Sequence, residues 1–135
     1  GADAMVRFTI PGEPTGKARP RVTKWGAYTP EKTVLYENLV KTCYPGGMFE
    51  GALVMSVTAH YAIPKSATKK NRELMLNFKM FPTKKPDCDN ILKIIADALN
   101  GIAYKDDSQI VKADITKIYS DEPKVEVEIR TAGTF

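Results

Sequence analysis

Apolar and polar residues alternate near both ends of the chain and recur at helical spacing between them. Val6, Phe8 and Ile10 alternate with Arg7 and Thr9, which predicts a half-buried strand over 6–10. Pro11-Gly12-Glu13-Pro14 ends it, and residues 15–30, rich in Gly, Pro and basic side chains, read as a loop. Thr29-Pro30-Glu31 then offers an N-cap, a proline at the first helical position and an acid in the first turn. Val34, Leu35, Leu39 and Val40 continue that helix until Pro45-Gly46-Gly47 stops it. From Leu53 to Ala62 the period returns to two. Leu53, Met55, Val57, Ala59 and Tyr61 share one face; Val54, Ser56, Thr58 and His60 share the other. A short basic helix capped by Ser66 is expected over 66–76. The clearest helix spans 87–100, where Ile91, Leu92, Ile94, Ile95, Ala98 and Leu99 form a broad apolar face and Asn100-Gly101 the stop. Two closing strands are expected at 110–119 and 124–130, joined as a hairpin through Ser120-Asp121-Glu122-Pro123. The order β-α-β-(α)-α-β-β predicts a single α+β (mixed α/β) domain with an approximately four-stranded mixed sheet and two to three helices.

Composition narrows the chemistry. The 135 residues, 43% hydrophobic and 27% charged, suit one folded domain and exclude wholesale disorder. No apolar run approaches the roughly 18–20 residues that cross a bilayer, so no membrane partner is expected. Residues 1–4, ahead of Met5, read as an expression scar, leaving 5–135 as the domain; they do not resemble a signal peptide, and a cytoplasmic location is expected. One His and two Cys fit no zinc signature and contain no CxxC motif, so Cys43 and Cys88 are expected as free thiols. His60 is expected to have a structural or surface role rather than a catalytic one. The net charge of +4 permits a polyanionic partner without requiring one.

The acids carry the chemistry. Asp87-Cys88-Asp89-Asn90 stands at the entrance of the best helix, and Asp89, Lys93 and Asp97, each four apart, rise along one face of it. Helix capping explains one Asp at such an entrance, and an i,i+4 pair with Lys93 explains Asp97. A second acidic pair, Asp106-Asp107, precedes the next strand, where a solvated turn is the plain alternative. Brought together, Asp87, Asp89 and one of Asp106 or Asp107 would repel one another and either raise their pKa values or recruit a cation. Oxygen-only ligation with retained waters is the preference of Mg²⁺, with Mn²⁺ as a substitute. Such an ion activates water against a phosphodiester, and Lys93, one turn from Asp89, would stabilise the transferring phosphate or the leaving oxygen.

These residues resemble the RusA family of Holliday junction resolvases. Asp87-Cys88-Asp89-Asn90-Ile91-Leu92-Lys93 is similar to that family's D-x-D-N-x-x-K. Asp97-Ala98-Leu99 and Asp106-Asp107-Ser108-Gln109-Ile110 are similar to its D-A-L and D-D-x-Q-[IV]. Gly16-Lys17-Ala18-Arg19-Pro20-Arg21, Tyr28-Thr29-Pro30 and Pro64-Lys65-Ser66 also resemble members. The resemblance implies a RusA-like fold and a homodimeric, Mg²⁺-dependent endonuclease, bacterial or prophage-encoded. It would resolve four-way or other branched DNA by paired symmetric cuts in recombination and repair. It implies Asp87, Asp89 and Asp107 as metal-binding catalytic acids and Lys93 as the essential cation. Asn90, Asp97 and Asp106 rank as accessory, and Cys88 is expected to pack inward.

Two basic stretches complete the reading. Lys17, Arg19 and Arg21 recur at period two and, if extended, project to one side about 6.6 Å apart, a ladder for successive phosphates. Lys69, Lys70, Arg72, Lys84 and Lys85 lead directly into the acids and would offset their repulsion of DNA. Trp25 is expected as a satellite core residue, with stacking on unpaired bases as the alternative. The competing function is a non-catalytic module binding branched or single-stranded nucleic acid.

Overall fold

The computed structural model describes residues 4–133. Gly1–Asp3 of the expected scar lie outside the described residues, whereas Ala4 exchanges backbone contact with Thr131, whose N–H reaches its carbonyl at 3.0 Å. The elements are β1 (Met5–Pro11), β2 (Arg21–Thr23), β3 (Gly26–Tyr28), α1 (Glu31–Cys43), β4 (Leu53–Ala62), α2 (Lys69–Leu76), α3 (Cys88–Ala98), β5 (Ile110–Ser120) and β6 (Lys124–Thr131). The predicted α+β domain, with a four-stranded mixed sheet and three helices, is what the chain forms.

The sheet order is β1-β6-β4-β5. β6 pairs antiparallel with both β1 and β4, and β5 pairs parallel with β4. The expected β5–β6 hairpin does not form, because β4 lies between the two strands. Ser120–Pro123 turns the chain as its composition predicts, but over the end of β4: Ile63 N–H donates to the Ser120 carbonyl at 3.4 Å and Gly12 N–H to the Pro123 carbonyl at 3.2 Å. Burial explains the insertion. Leu53, Val54, Met55, Val57, Ala59 and Tyr61 are all at most 2% exposed. So apolar a strand is most stable in the middle of the sheet, paired on both edges.

One face of the sheet carries the helices. Leu53, Met55, Val57, Ala59 and Tyr61 of β4 join Ile91, Ile94, Ile95 and Ala98 of α3, and Tyr36 and Val40 of α1, in one core. The other face is polar. There Arg7 Nε lies 2.9 Å from Glu128 Oε1, Ser56 Oγ donates to Asp114 at 2.8 Å, and His60 Nε2 meets Glu126. Of the two settings expected for His60, the surface and the structural, the fold gives a buried one beside Glu126.

Several local expectations change. The N-cap of α1 is Pro30, not Thr29, and its buried stripe is Thr33, Tyr36 and Val40, leaving Val34 and Leu35 exposed. Thr68, not Ser66, caps α2, accepting from Asn71 N–H at 3.1 Å. Part of the predicted 15–30 loop is the β2–β3 hairpin. Trp25 at its tip is 87% exposed, not a satellite of the core. Cys43 and Cys88 are both free thiols, and Cys88 is exposed rather than packed inward. Among the described residues no helix is long and apolar enough to cross a membrane.

Candidate active site

Helix α3 organises the site. Ile91, Ile94, Ile95 and Ala98 are buried against the sheet, which turns Asp89, Lys93 and Asp97 outward. These three are spaced about 6 Å apart along the axis at the helical rise. The segment entering the helix is anchored from β4 and β5. Tyr61 donates its phenol to the Pro86 carbonyl at 2.7 Å, and Lys117 Nζ donates to the Lys84 carbonyl at 2.6 Å. Burial, then the neighbouring Cys88, Asp87 and Glu13, push the Tyr61 phenol up to about 12, so it remains a donor. Asp87 occupies the N-cap position in extended backbone, yet its carboxylate makes no capping hydrogen bond. The capping explanation for Asp87 is thereby removed.

A second segment docks on the same helix. Lys17 N–H donates to the Asn90 carbonyl at 2.9 Å. Gly16 permits this approach: a Cβ there would stand 2.9 Å from Pro86 Cβ and 3.1 Å from Asn90 Cβ. Docking directs the Lys17 ammonium inward, 3.1 Å from Glu37 and 3.4 Å from Asp97, while Asp97 also holds Lys93 at 3.3 Å. Burial acts to lower the Lys17 pKa, but the hydrogen bonds and charges of Glu37 and Asp97 outweigh it and hold the group above its ordinary value. Lys17 therefore does not stand beside Arg19 and Arg21 as a free rung of a ladder. Its ammonium sits in a half-buried Glu37–Lys17–Asp97 cluster that continues to the exposed Lys93.

The 100–107 loop supplies the last acid. Gly101, with φ at +78°, lets the chain reverse after α3, and its N–H donates to the Tyr104 carbonyl at 2.7 Å. Tyr104, fully buried, donates to the Ala96 carbonyl at 2.7 Å. Burial, then the charge of Asp107, raises its phenol pKa. A single 3-10 turn, Asp107–Gln109, follows. Asp106 caps it, accepting from Ser108 N–H at 3.0 Å, and Gln109 Oε1 accepts from Asp106 N–H at 3.2 Å. The bond to Ser108 holds the Asp106 carboxyl below its usual value. Asp107 is left with its backbone fixed by Asn100 Oδ1 at 2.8 Å and no side-chain hydrogen bond or ion pair among the described residues. It lines a concavity with Lys93, Leu92, Ala96 and Ile110.

The carboxylates of Asp87, Asp89 and Asp107 are thus all unpaired among the described residues, but the fold does not gather them. No group of three or more carboxylate, imidazole or thiol side chains is close enough to hold a metal ion among the described residues. The reason is topological. Helix α3 starts near the Tyr61 end of β4, whereas Ile110, just after the Asp107 turn, is in register with Leu53 at the other end. Adjoining concavities link the regions instead. Asp87 lines one of about 520 Å³ with Arg19, Arg21, Lys32, Lys85 and Asn90. The next shares Arg19 and Asn90 with it and adds Lys93, which also borders the Asp107 concavity. Lys69, Lys70, Lys84 and Lys85 are exposed, and Arg72 is paired with Asp121. Sequence reasoning missed Lys32 and Glu37. Both lie on α1, whose facing toward the cleft is set by docking and not by its periodicity.

Chemically, three unpaired carboxylates are hard oxygen donors, and the cations around Asp87 favour a polyanion. Comparison with known proteins agrees with that chemistry. Residues 11–130 match the family described as endodeoxyribonuclease RusA. The chain is 38% identical over 135 aligned positions to the uncharacterized protein YqaN of Bacillus subtilis, covering 93% of this chain and 95% of that one. It is 32% identical over 99 positions to the crossover junction endodeoxyribonuclease RusA of Lactococcus phage r1t, covering 73% of this chain and 66% of that one. With the match spanning nearly the whole domain, the chain belongs to the RusA endodeoxyribonuclease family and so to the hydrolases.

Proposed function

We propose that this protein is a Mg²⁺-dependent, structure-selective endonuclease that resolves four-way and other branched DNA by paired cuts in recombination and repair. The observation that carries the reading is the set of unpaired acids on α3 and its neighbouring turn, bordered by exposed cations. Their donor chemistry suits Mg²⁺, for which Mn²⁺ would substitute. Asp87, Asp89 and Asp107 would hold the ion, one or two at a time, since Mg²⁺ keeps several waters and takes phosphate oxygens for the rest of its shell. When bound, the ion would activate water and offset phosphate charge.

The chain's own residues do the remaining work. Arg19, Arg21, Lys32 and Lys85 would hold the phosphates beside Asp87. Lys93, its side chain 61% exposed and held at 3.3 Å by Asp97, presents an ammonium between the Asp87 and Asp107 concavities. There it would stabilise charge on the scissile phosphate or the departing oxygen. Cytoplasmic action as a homodimer completes the proposal: two-fold symmetry supplies two identical sites for matched cuts.

Cleavage of an end-labelled four-way junction with and without Mg²⁺ tests the reading. Paired cuts that vanish in Asp89→Asn and Asp107→Asn are expected. Junction binding with no cutting at any Mg²⁺ or Mn²⁺ concentration would overturn it. That outcome would favour the second reading, a non-cleaving binder of branched DNA, which the separation of the acids supports. Sedimentation of the free protein tests the dimer.

A further inference from the structure

The β2–β3 hairpin forms its own two-stranded sheet, unpaired with the main one, and every residue from 21 to 29 is exposed. An isolated hairpin is marginal in water, so its turn must help hold it. Thr23 Oγ1 accepts from Trp25 N–H at 3.2 Å and donates to the Gly26 carbonyl at 3.1 Å, while Gly26 takes φ +119°. Thr23 pairs with Gly26, so Lys24 and Trp25 form the two-residue tip. Lys24 Nζ lies 5.0 Å from the Trp25 ring centroid. Trp25 is 87% exposed, and Val22 and Tyr28 beside it are 82% and 50% exposed. Indole is rarely left so open in a folded domain.

The surroundings point to nucleic acid. Residues 14–30 contain no Asp or Glu, and besides Lys17, which Glu37 and Asp97 hold, they carry Arg19, Arg21 and Lys24. Arg21, at the foot of the hairpin, and Pro30, just after it, line the concavity that holds Asp87. Three residues of strand place the tip roughly 10 Å beyond that wall. A cationic arm carrying an exposed ring suits a base whose face is free, because aromatic stacking tolerates any base and the cations meet the backbone. Inside a linear duplex both faces of every base pair are covered by its neighbours, leaving only the ends free; an open branch point frees the faces of its central pairs.

We propose that Trp25 stacks on a base face left uncovered at the branch point, making the β2–β3 hairpin the element that distinguishes branched DNA from duplex. The inference rests on the endonuclease reading for its placement of DNA at Asp87. An acidic protein partner or a second copy of the chain is less favoured, since the arm mixes its apolar side chains with cations.

Trp25 is the single tryptophan of the chain, so its emission reports on this hairpin alone. The full chain, in EDTA to prevent cutting, is titrated with a four-way junction and with linear duplex of matched sequence. Occupancy is followed separately by anisotropy of labelled DNA. Strong quenching by the junction and little by duplex at equal occupancy is expected. Trp25→Ala should weaken junction binding roughly tenfold, leave duplex binding unchanged and keep the native melting temperature; Trp25→Phe should restore most of the loss. Unchanged emission on a saturated junction, or equal loss of junction and duplex affinity in Trp25→Ala, overturns the inference. So does a change in sedimentation mass of Trp25→Ala with DNA binding intact, which would assign the hairpin to contact between copies. Cutting of the same junction by the wild type in Mg²⁺ is scored independently. Cutting without quenching overturns stacking alone; quenching without cutting overturns the endonuclease reading and supports stacking.

Discussion

Asp87 and Asp107 sit where a helix and a turn begin, yet neither carboxylate is used to hold the backbone. Acids that make no hydrogen bond to the backbone can be changed at little cost to the fold. Asp87→Asn and Asp107→Asn are expected to shift unfolding free energy by less than about 0.5 kcal/mol while abolishing cleavage, as denaturant titration and the junction assay would show. Asp106 behaves oppositely. Its bond to Ser108 lowers its pKa, so its contribution is present above the model-peptide value of 3.8 and lost as pH falls through the lower folded value. Lys17 has the reverse sign. Its folded pKa is raised above 10.5, so the Glu37 and Asp97 pairing contributes fully below pH 10.5 and is lost as pH rises beyond it. Wild type should therefore lose stability in that alkaline window, and Lys17→Met should lose less there, which thermal melts across about pH 9–12 check. The motif residues were legible as residues because their spacing is chemical. The role of Lys17 was not, because Glu37 lies on α1, a different element.

At the scale of elements, α3 was readable almost to the residue. Its apolar face and its Asp start are local properties, and Cys88–Ala98 falls within the expected 87–100. The segment docked against it was not readable. Gly16 stands in the sequence as the start of a family-like basic stretch with no sign of what it touches, whereas its missing Cβ lets residues 16–17 lie on Pro86 and Asn90. Gly16→Ala is expected to destabilise the protein by about 1–3 kcal/mol, the cost of overpacking a close contact. It should also weaken DNA binding by moving Arg19 and Arg21 from the cleft. Chemical denaturation and junction titration read the two effects, and an unaltered stability would show that the contact yields easily. The β2–β3 hairpin was unreadable for another reason. Three-residue strands leave no periodicity to detect, and Trp25 in sequence carries no sign of whether a core exists to receive it.

For the whole molecule the arrangement of charge matters more than its sum of +4. Arg19, Arg21, Lys32 and Lys85 converge on Asp87 from three separate parts of the chain, while Lys17 and Arg72 are held by acids. Junction affinity should fall steeply with salt. Arg19→Ala and Arg21→Ala should each flatten the log–log slope by roughly one, and Lys17→Ala should leave it nearly unchanged. Titrations at several salt concentrations measure this directly, and an equal effect for Lys17 would place its ammonium on DNA rather than on Glu37 and Asp97.

By itself, the amino-acid sequence determined what repeats along the chain or lies within a few residues. That includes the strand periods, the α3 face, the turn at Ser120–Pro123 and the D-x-D-N-x-x-K and D-D spacings. These follow from backbone geometry and side-chain type, which act locally. Tertiary structure alone decided what depends on partners distant in sequence. It placed β4 between β5 and β6, set Asp107 toward the opposite end of β4 from Asp87, paired the ammonium of Lys17 with Glu37 and Asp97 and left Trp25 exposed. Each follows from which apolar surfaces are best covered together, and burial is a property of the assembled domain rather than of any segment in it.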